Sequence, residues 1–441
     1  MIPTSHLFDQ STIAALLDHD PMIQDYRTFF SLLDWSVVSQ WQAQRSPRGR
    51  PPHPETAYLK AFLLRIREGM IYTSQLRRFL LRHPLLVIEL GFHLVLDSSQ
   101  PYGFDLEQTV PCEFWLREKL RGFDQTLLQA LLHTTVHALQ AEIPGLGETV
   151  AFDVKHIYAW VRENNERAYV PDRYDKTRRL VGDPDCRLGV KRSTNQEQPD
   201  GTTREKKEYI WGYGTGVAVA TTVDYGSVVL AEYTQPFNEG DITYFRPLYQ
   251  PTVVALNQFP TYLTADAAYD AWYVYEAAVR HGGIAAVPLN QHSKTLFPRT
   301  ADGTPRCDKG LLMQPTKQFH HTYGYRAQRF QCPLLFPEKT GMTCEHEQFA
   351  KGKGCVKDVN WERGGIQRVT LDRDGPLFHG LYNQRTGCER INALAKELGI
   401  ERPRVRNSRS VANLNTLIYV IVNARVLAKA KSINQGLLQM N

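Results

Sequence analysis

The stretch Tyr382–Lys396, YNQRTGCERINALAK, decides how the rest of this chain is interpreted. From Cys388 onward it is rich in helix-forming residues, which predicts an amphipathic helix. One predicted face is polar and carries Arg385, Glu389, Asn392 and Lys396. The opposite face is apolar and carries Ile391, Leu394, Ala395 and Leu398. A polar face of this kind is also typical of an ordinary solvated helix with charge pairs one turn apart.

Two aspartates upstream of this helix accompany predicted strands. The segment ETVAFDVKHIYAWV, residues 148–161, is apolar, β-branched and aromatic, so it predicts a strand that contains Asp153. A charge inside a strand is costly unless it is satisfied or binds something. An aspartate that caps a turn at a strand end would explain it equally well.

The second aspartate follows a predicted strand over 261–265. Asp266 opens the phrase DAAYD, a helix is predicted over 270–281, and GGIAAVPLN predicts a further strand. This strand–Asp–helix–strand order is typical of an α/β sheet with a site at its strand ends. An ordinary helix-capping role would also explain Asp266.

Together these features resemble a known family of enzymes. Tyr382, Arg385, Glu389 and Lys396 spell Y-x2-R-x3-E-x6-K, and DAAYD is similar to the element around a second catalytic aspartate. The chain thus resembles the DDE-class transposases of bacterial insertion sequences, of the IS-four/IS-five superfamily. The resemblance covers roughly residues 148–430, and GRPPHPETAYLKAFLLRIREGMIYTSQLRRFL is loosely similar to the N-terminal helices of the IS-five part.

The resemblance implies a catalytic site. Asp153, Asp266 and Glu389 would be the catalytic carboxylates and would hold two Mg²⁺ or Mn²⁺ ions, which prefer oxygen ligands. Tyr382, Arg385 and Lys396 would contact DNA phosphates. The implied chemistry is metal-dependent cleavage at transposon ends and strand transfer into target DNA, that is, cut-and-paste transposition.

The chain departs from the family pattern at one position. Lys155 stands where the family often has Thr or Ser, two residues after the first aspartate. The alternatives for that aspartate lie in predicted loops or turns: Asp172, Asp175, Asp183, Asp185 and Asp224. Trp272, close to the second aspartate, is interpreted as a buried helix aromatic.

The expected fold class is α/β. An RNase H-like catalytic domain (146–289 and 377–432), with a mixed sheet flanked by helices, would carry a β/loop-rich, cysteine-containing insertion (290–376). Within that insertion Cys332, Cys344, His346 and Cys355 could bind structural Zn²⁺, with Cys307 as an alternative ligand, although scattered reduced cysteines fit the spacing as well. The polar segment 163–208 is expected to be a long loop, and 209–221 with 225–235 a hairpin.

The first part of the chain, 1–145, predicts an all-α DNA-binding region. Its helices are expected near 12–18, 23–41, 54–68, 73–82, 84–92, 109–121 and 124–142, some of them forming a possible helix-turn-helix. The basic, proline-rich segment AQRSPRGRPPHPE (43–55) breaks this pattern and is either an arm that lies along DNA or a solvated linker.

Composition favours a cytoplasmic DNA-binding protein. The formal net charge is +6, which suits a phosphate-binding surface without requiring one. An odd count of seven cysteines and an N-terminus without a signal-peptide pattern favour a reducing compartment, here a bacterial cytoplasm with the protein on the nucleoid when DNA is bound. The expected partners are double-stranded DNA (terminal inverted repeats and target DNA) and a second copy on DNA, with no membrane. Two alternatives remain: an inactive or repurposed transposase-derived DNA-binding protein, and a hydrolytic RNase H-like nuclease.

Overall fold

The computed structural model describes residues 10–43, 53–100, 102–193, 206–290 and 297–440. The basic segment around residues 44–52 therefore lies outside the described residues. The chain divides into two compact units, residues 1–146, 154–257 and 387–441 in unit 1 and residues 147–153 and 258–386 in unit 2. The fold is mixed α/β, with a mixed sheet flanked by helices.

Unit 1 begins with helices. They are α1 (Gln10–His19), α2 (Pro21–Phe30), α3 (Ser36–Ala43), α4 (Glu55–Arg67), α5 (Thr73–Arg82), α6 (Pro84–Leu90), α7 (Leu106–Thr109), α8 (Glu113–Gly122) and α9 (Gln125–Glu142). The single helix expected over 23–41 is wrong. The chain turns between Phe30 and Ser36, where the Trp35 indole donates to the Phe30 carbonyl at 2.9 Å.

Six strands form the main sheet. They are β1 (Thr149–Tyr158), β2 (Arg187–Ser193), β3 (Lys206–Thr222), β4 (Gly226–Pro236), β5 (Tyr262–Ala265) and β6 (Ile284–Ala286). Their order is β2-β3-β1-β5-β6, with β4 also paired to β3. The β2–β3 and β3–β4 pairs are antiparallel, and the β1–β5 and β5–β6 pairs are parallel. The expected hairpin is confirmed as β3–β4, but the expectation that 163–208 is only a loop is wrong, because β2 lies within it.

A long C-terminal helix completes unit 1. After α10 (Phe245–Leu256) and α15 (Thr386–Glu397), the helix α16 runs from Ser408 to Met440. It is the one helix among the described residues that is long and apolar enough to cross a membrane, yet 83% of its most apolar window is buried inside the protein. Polar side chains on it bond inward: Asn423 donates to the Val229 carbonyl at 2.8 Å and accepts from the Val229 amide at 2.9 Å. The helix is thus a core element of unit 1.

Unit 2 adds a second, smaller sheet. β7 (Gln314–His320), β8 (Arg326–Gln331) and β9 (Val356–Asn360) pair antiparallel in the order β7-β8-β9. The helices of this unit are α11 (Trp272–Val279), α12 (Glu347–Ala350), α13 (Arg363–Thr370) and α14 (Pro376–Asn383). The segment expected to be β- and loop-rich therefore holds a three-stranded sheet.

Candidate active site

Asp153 and Asp266 lie at matching positions on two neighbouring strands. β1 and β5 run parallel, and the last paired residues are Phe152 and Ala265. The next residues are Asp153, within β1, and Asp266, directly after β5, so the two aspartates lie at the same level of the sheet. They are called the strand-end aspartates below because the pairing of β1 with β5 ends just before them. Both are half-buried, in contrast to Phe152 and Ala265, which are buried. Parallel strands thus bring together two acidic groups that are far apart in sequence.

One oxygen of Asp266 already has a structural role. Its Oδ1 accepts from the Ala268 amide at 2.9 Å and caps the 3₁₀ turn Ala267–Tyr269. The capping interpretation of Asp266 is therefore correct, and it does not exclude a second role. A carboxylate has a second oxygen and further lone pairs with which to bind a cation.

Arg385 is the cationic neighbour of Asp153. Its Nη1 lies 3.9 Å from Asp153 Oδ1, and the two side chains are 23% and 19% exposed. The guanidinium also lies 5.9 Å from the centre of the Tyr382 ring. Tyr382 in turn stacks on Phe378 with ring centres 5.7 Å apart, beside a buried cluster of Ala286, Phe378 and Leu381. Packing of α14 therefore fixes the position of Arg385.

The predicted single helix around Glu389 is divided in the structure. Tyr382 belongs to α14, Arg385 lies between the helices, and α15 begins at Thr386. The expectation that Arg385 shares a helical face with Glu389 is therefore wrong. Glu389 lies exposed in the first turn of α15 in unit 1, and Lys396 in its last turn.

Close packing fixes the start of α15. A Cβ on Gly387 would lie 1.8 Å from Thr221 Oγ1 on β3, so no larger residue fits there without movement. Cys388, Ile391 and Ala395 are buried, which leaves Glu389 on the outer side. At the other end Lys396 Nζ lies 3.3 Å from Glu401 Oε2.

Lys155, the departure from the family pattern, has a partner of its own. Its Nζ lies 3.6 Å from Glu401 Oε1. Burial alone would raise the pKa of Glu401, but the charges of Lys155 and Lys396 outweigh it, and the pKa is lowered. Lys155 thus serves an ion pair in unit 1.

Most of the alternative first aspartates have structural partners. Asp183 is buried and accepts from the Tyr213 hydroxyl at 2.6 Å. Asp185 accepts from the Ser408 amide at 2.9 Å, at the start of α16. Asp175 accepts from the Thr177 amide at 2.9 Å in a turn. Asp172 has a positive φ of 48°, and Asp224 is exposed between β3 and β4. None of the five directly follows the paired residues of a parallel strand, as Asp153 does, which favours Asp153.

Asp270 and Arg368 form a buried ion pair that the sequence did not reveal. Arg368 Nη2 lies 2.6 Å from Asp270 Oδ2, and the Asp270 side chain is fully buried. Burial alone would raise the pKa of Asp270, but the hydrogen bonds and charge of Arg368 lower it below its usual value. Asp270 also accepts from the Asn290 amide at 2.9 Å. The second aspartate of DAAYD therefore fastens α13 beside α11.

Trp272 lies close to this ion pair. It is the first residue of α11, half-buried, with its ring centre 5.8 Å from that of Tyr325. Both residues line a cavity of about 230 Å³ together with Arg299, Asp358 and Arg368. Trp272 thus lies on a helix, as the sequence predicted, but it is half-buried rather than buried.

A basic pocket with aromatic walls lies in unit 1. It has a volume of about 510 Å³, and its lining includes Tyr158, Trp160, Arg162, Arg402, Arg404 and Arg406. The Arg402 guanidinium lies 4.0 Å from the Tyr158 ring centre, and that of Arg406 4.8 Å from the Trp160 ring centre. Stacked guanidinium groups are held in place while their N–H groups remain free to bind anions.

The predicted zinc ligands are brought together only in part. Among the described residues, one group of three or more potential ligand atoms lies within 4.8 Å, and it consists of Asp308, His346 and Cys355. Cys332 and Cys344 are outside that group. Asp308 was missed, although it follows Cys307, the alternative ligand. None of the seven cysteines, all of them among the described residues, forms a disulfide.

The fold and the strand-end aspartates define a class of protein, an α/β protein with an acidic site. The match to a protein family identifies that class more closely. Residues 190–424, more than half of the chain, match the transposase DDE domain family. The chain belongs to this family, whose members are enzymes that act on DNA in transposition.

The other comparisons add little. No curated protein matches the chain. Among solved structures, the chain is similar to a piggyBac transposase in a synaptic complex with hairpin DNA, at 11% identity and a TM-score of 0.34. That match covers 93% of this chain and 74% of the other, and it is too distant to support an argument.

Proposed function

We propose that the protein is a DDE transposase of the bacterial insertion-sequence type, which cuts DNA at transposon ends and joins those ends to target DNA. The observation that carries the proposal is the placement of Asp153 and Asp266 directly after the last paired residues of the parallel strands β1 and β5. The strand order β2-β3-β1-β5-β6, with β4 paired to β3, supports an RNase H-like catalytic domain. Glu389, in the first turn of α15, would be the third carboxylate.

The donor set suits hard divalent cations. Asp153, Asp266 and Glu389 offer only carboxylate oxygens, which Mg²⁺ and Mn²⁺ prefer. Asp266 has committed one oxygen to the Ala268 amide and can offer the other. Two bound ions would make the attacking oxygen more nucleophilic and stabilise the leaving 3′ oxygen.

The chain's own side chains would position the DNA. Arg385 would donate to a phosphate next to the reacting one, and it limits the negative charge around Asp153. Tyr382 would hold Arg385 through packing. Lys396, exposed on α15, would contact the backbone further along. The hydroxyl of water, or of a DNA 3′ end, attacks phosphorus and loses its proton as the P–O3′ bond breaks.

The basic pocket would extend the DNA-binding surface in unit 1. Its arginines carry charge that matches phosphate, and Trp160 and Tyr158 offer aromatic faces. The protein would act in the bacterial cytoplasm, on the nucleoid, as at least a dimer when two transposon ends are joined. The buried state of α16 is consistent with a protein outside the membrane.

The test is cleavage of a labelled duplex that carries the flanking inverted repeat, with Mg²⁺ or Mn²⁺ and with EDTA. Asp153→Asn, Asp266→Asn and Glu389→Gln should each lower the cleavage rate on the order of 1000-fold, since each removes several kcal/mol of transition-state stabilisation. Gel-shift binding should persist. Asp224→Asn, an exposed turn carboxylate, is the matched control and should cleave normally.

Each other result selects an alternative. Binding without cleavage under any metal condition would indicate a DNA-binding relative. Cleavage without joined product would indicate a hydrolytic nuclease. Loss of cleavage in Asp224→Asn but not in Asp153→Asn would move the first carboxylate from β1 to the hairpin turn.

A further inference from the structure

A cluster of metal-binding side chains lies in unit 2 apart from the strand-end carboxylates. Asp308, His346 and Cys355 each offer one ligand atom, and these atoms lie within 4.8 Å of one another. Cys355 is buried, whereas His346 is half-buried and Asp308 is exposed. A thiol, an imidazole and a carboxylate form a ligand mixture that favours Zn²⁺ over Mg²⁺. The cluster is thus chemically distinct from the all-oxygen site.

Three turns bring the cluster together. Cys307 opens the turn that contains Asp308, since the Gly310 amide donates to the Cys307 carbonyl at 2.8 Å. His346 caps α12, and Cys355 follows a turn that ends at Gly354 and precedes β9. The ligands therefore come from separate segments between residues 307 and 355. A metal bound by them would tie these segments to one another.

Two further buried thiols lie beside Cys355. Cys307 belongs to the same apolar cluster as Cys355. Cys332 packs against Gly354, where an added Cβ would be 3.1 Å from its sulfur. Asp308, Cys307 and Cys332 are all close enough to the Cys355 sulfur to interact with it electrostatically. Three buried thiols, Cys307, Cys332 and Cys355, therefore lie in this part of unit 2.

The hydrophobic support of this region is small. One cluster of five buried residues holds it: Cys307, Met313, Phe330, Cys355 and Val359. Phe297 and Trp361 pack against this cluster from outside. Small cores of this kind are commonly reinforced by a structural metal or by disulfides, and the cysteines here are free. The clustered ligand atoms and the small hydrophobic core therefore both point to a structural metal in this region.

We propose that this protein binds one structural Zn²⁺ through Asp308, His346 and Cys355, with one of the two buried thiols, Cys307 or Cys332, as the fourth ligand. His346 Nε2 faces the cluster, 3.5 Å from Asp308 Oδ2. His346 Nδ1 now accepts from the Gln348 amide at 3.2 Å. Binding of a metal at Nε2 would require the neutral tautomer with its proton on Nδ1, and the contact with the Gln348 amide would then open.

Metal binding would also change the ion pair of Asp308 with Lys357. Lys357 Nζ lies 3.9 Å from Asp308 Oδ1, and it is the cation that now partners this carboxylate. Zn²⁺ would take over that oxygen, and Cys355 would bind as the thiolate after releasing its proton. Zinc affinity should therefore fall as pH is lowered, because protons compete for the thiol and the imidazole.

The experiment measures metal in the whole purified chain. Protein expressed with zinc in the medium should retain one zinc per chain by elemental analysis. Replacement by Co²⁺ should produce a thiolate-to-cobalt absorption band with tetrahedral d–d bands. His346→Ala should abolish stable binding. Cys355→Ser should lower the thiolate band by about half or remove the metal, since one of two thiolates is lost.

Matched cysteine variants identify the ligand set. One of Cys307→Ser and Cys332→Ser should lower the band as Cys355→Ser does, and the other should leave it unchanged. Cys344→Ser, outside the group, is the control and should bind normally. Because a variant could simply misfold, unfolding of wild type is also followed with and without chelator. Removal of zinc should lower the melting temperature.

Three results would overturn the proposal. They are zinc-free protein that shows no cobalt–thiolate band, metal loss in Cys344→Ser, and a band unaffected by both Cys307→Ser and Cys332→Ser. Each of these measurements is made without DNA, so its outcome does not depend on whether the protein cuts DNA.

Discussion

Two kinds of carboxylate differ sharply in their surroundings. Asp270 in unit 2 and Glu232 in unit 1 are buried and fully engaged with protein groups. Asp153 and Asp266 are half-buried just beyond the paired part of β1 and β5, and Asp266 Oδ1 accepts from the Ala268 amide. The buried pair hold elements together, whereas the strand-end pair remain accessible to a ligand. The candidate site therefore differs from the core in the accessibility of its carboxylates to a ligand, not in the mere presence of carboxylates.

The two buried carboxylates also differ from each other. Asp270 faces the guanidinium of Arg368, which lowers its pKa. Glu232 faces neutral donors: Gln125 and Gln129 each donate at 3.0 Å, and Thr416 donates as well. Burial raises the pKa of Glu232 to about 7, because no cation offsets the loss of water.

The largest expected effect is on the Asp270–Arg368 pair. Asp270→Ala should lower the free energy of unfolding by about 3–5 kcal/mol, because it leaves a buried guanidinium without its partner. Chemical denaturation of the full chain measures this. Asp358→Ala is the control: it breaks a pair with Arg329 that is 35% and 32% exposed, and should cost about 1 kcal/mol or less. Equal losses of unfolding free energy in the two variants would contradict the distinction between the buried and the exposed ion pair.

Glu232 should make stability depend on pH in the opposite sense to a salt-bridged acid. Its pKa is about 7 when folded and near 4.5 when unfolded, so the folded chain keeps a proton that the unfolded chain releases. Stability is full below the unfolded value and is lost as pH rises through about 7, by about 3 kcal/mol in all. Glu232→Gln should flatten this profile in thermal unfolding scans.

An exposed acid provides the control for that profile. Glu239→Gln, on the surface, should leave the pH dependence as it is in wild type. A Glu232→Gln profile that still falls over the same range would assign the dependence to another group.

The strand-end aspartates should show the smallest effect on stability. Without divalent cations, Asp153→Asn and Asp266→Asn should change the free energy of unfolding by about 1 kcal/mol or less, since a neighbouring like charge is removed. With Mg²⁺ at 100 times its Kd, wild type should gain about 2.7 kcal/mol. The two variants should gain much less, and Asp224→Asn should respond like wild type. A large loss in either variant without metal would mean that the carboxylate is structural.

Local patterns predicted much of the fold. The β3–β4 hairpin and the strand before Asp266 follow from the residue pattern of their segments. The strand β2 was missed because Arg187–Ser193 is polar and basic, and its pairing with β3 is decided by tertiary structure. The helix predicted from Cys388 onward agrees with α15, but Arg385 was wrongly placed on its polar face, because residue spacing does not reveal that Gly387 packs on Thr221 at the start of the helix.

Partners distant in sequence could not be predicted. Nothing near Asp270 indicates Arg368, and nothing near His346 indicates Asp308, because only the fold brings these groups together. The strand-end pair could be predicted, because each aspartate carried a local strand pattern. The roles of Asp153, Asp266 and Glu389 in cleavage stay predictions until the variants are assayed.

The helix α16 has a consequence for how the chain is made. Asn423 satisfies both backbone groups of Val229, and Thr416 donates to Glu232, so β4 gains these partners only from residues synthesised much later. Asn413 likewise bonds to the Leu120 carbonyl at 2.7 Å at the end of α8. Domains generally fold as their residues emerge from the ribosome. Here β4 and the end of α8 acquire these hydrogen bonds only after α16 has been synthesised, so this part of unit 1 completes its packing late.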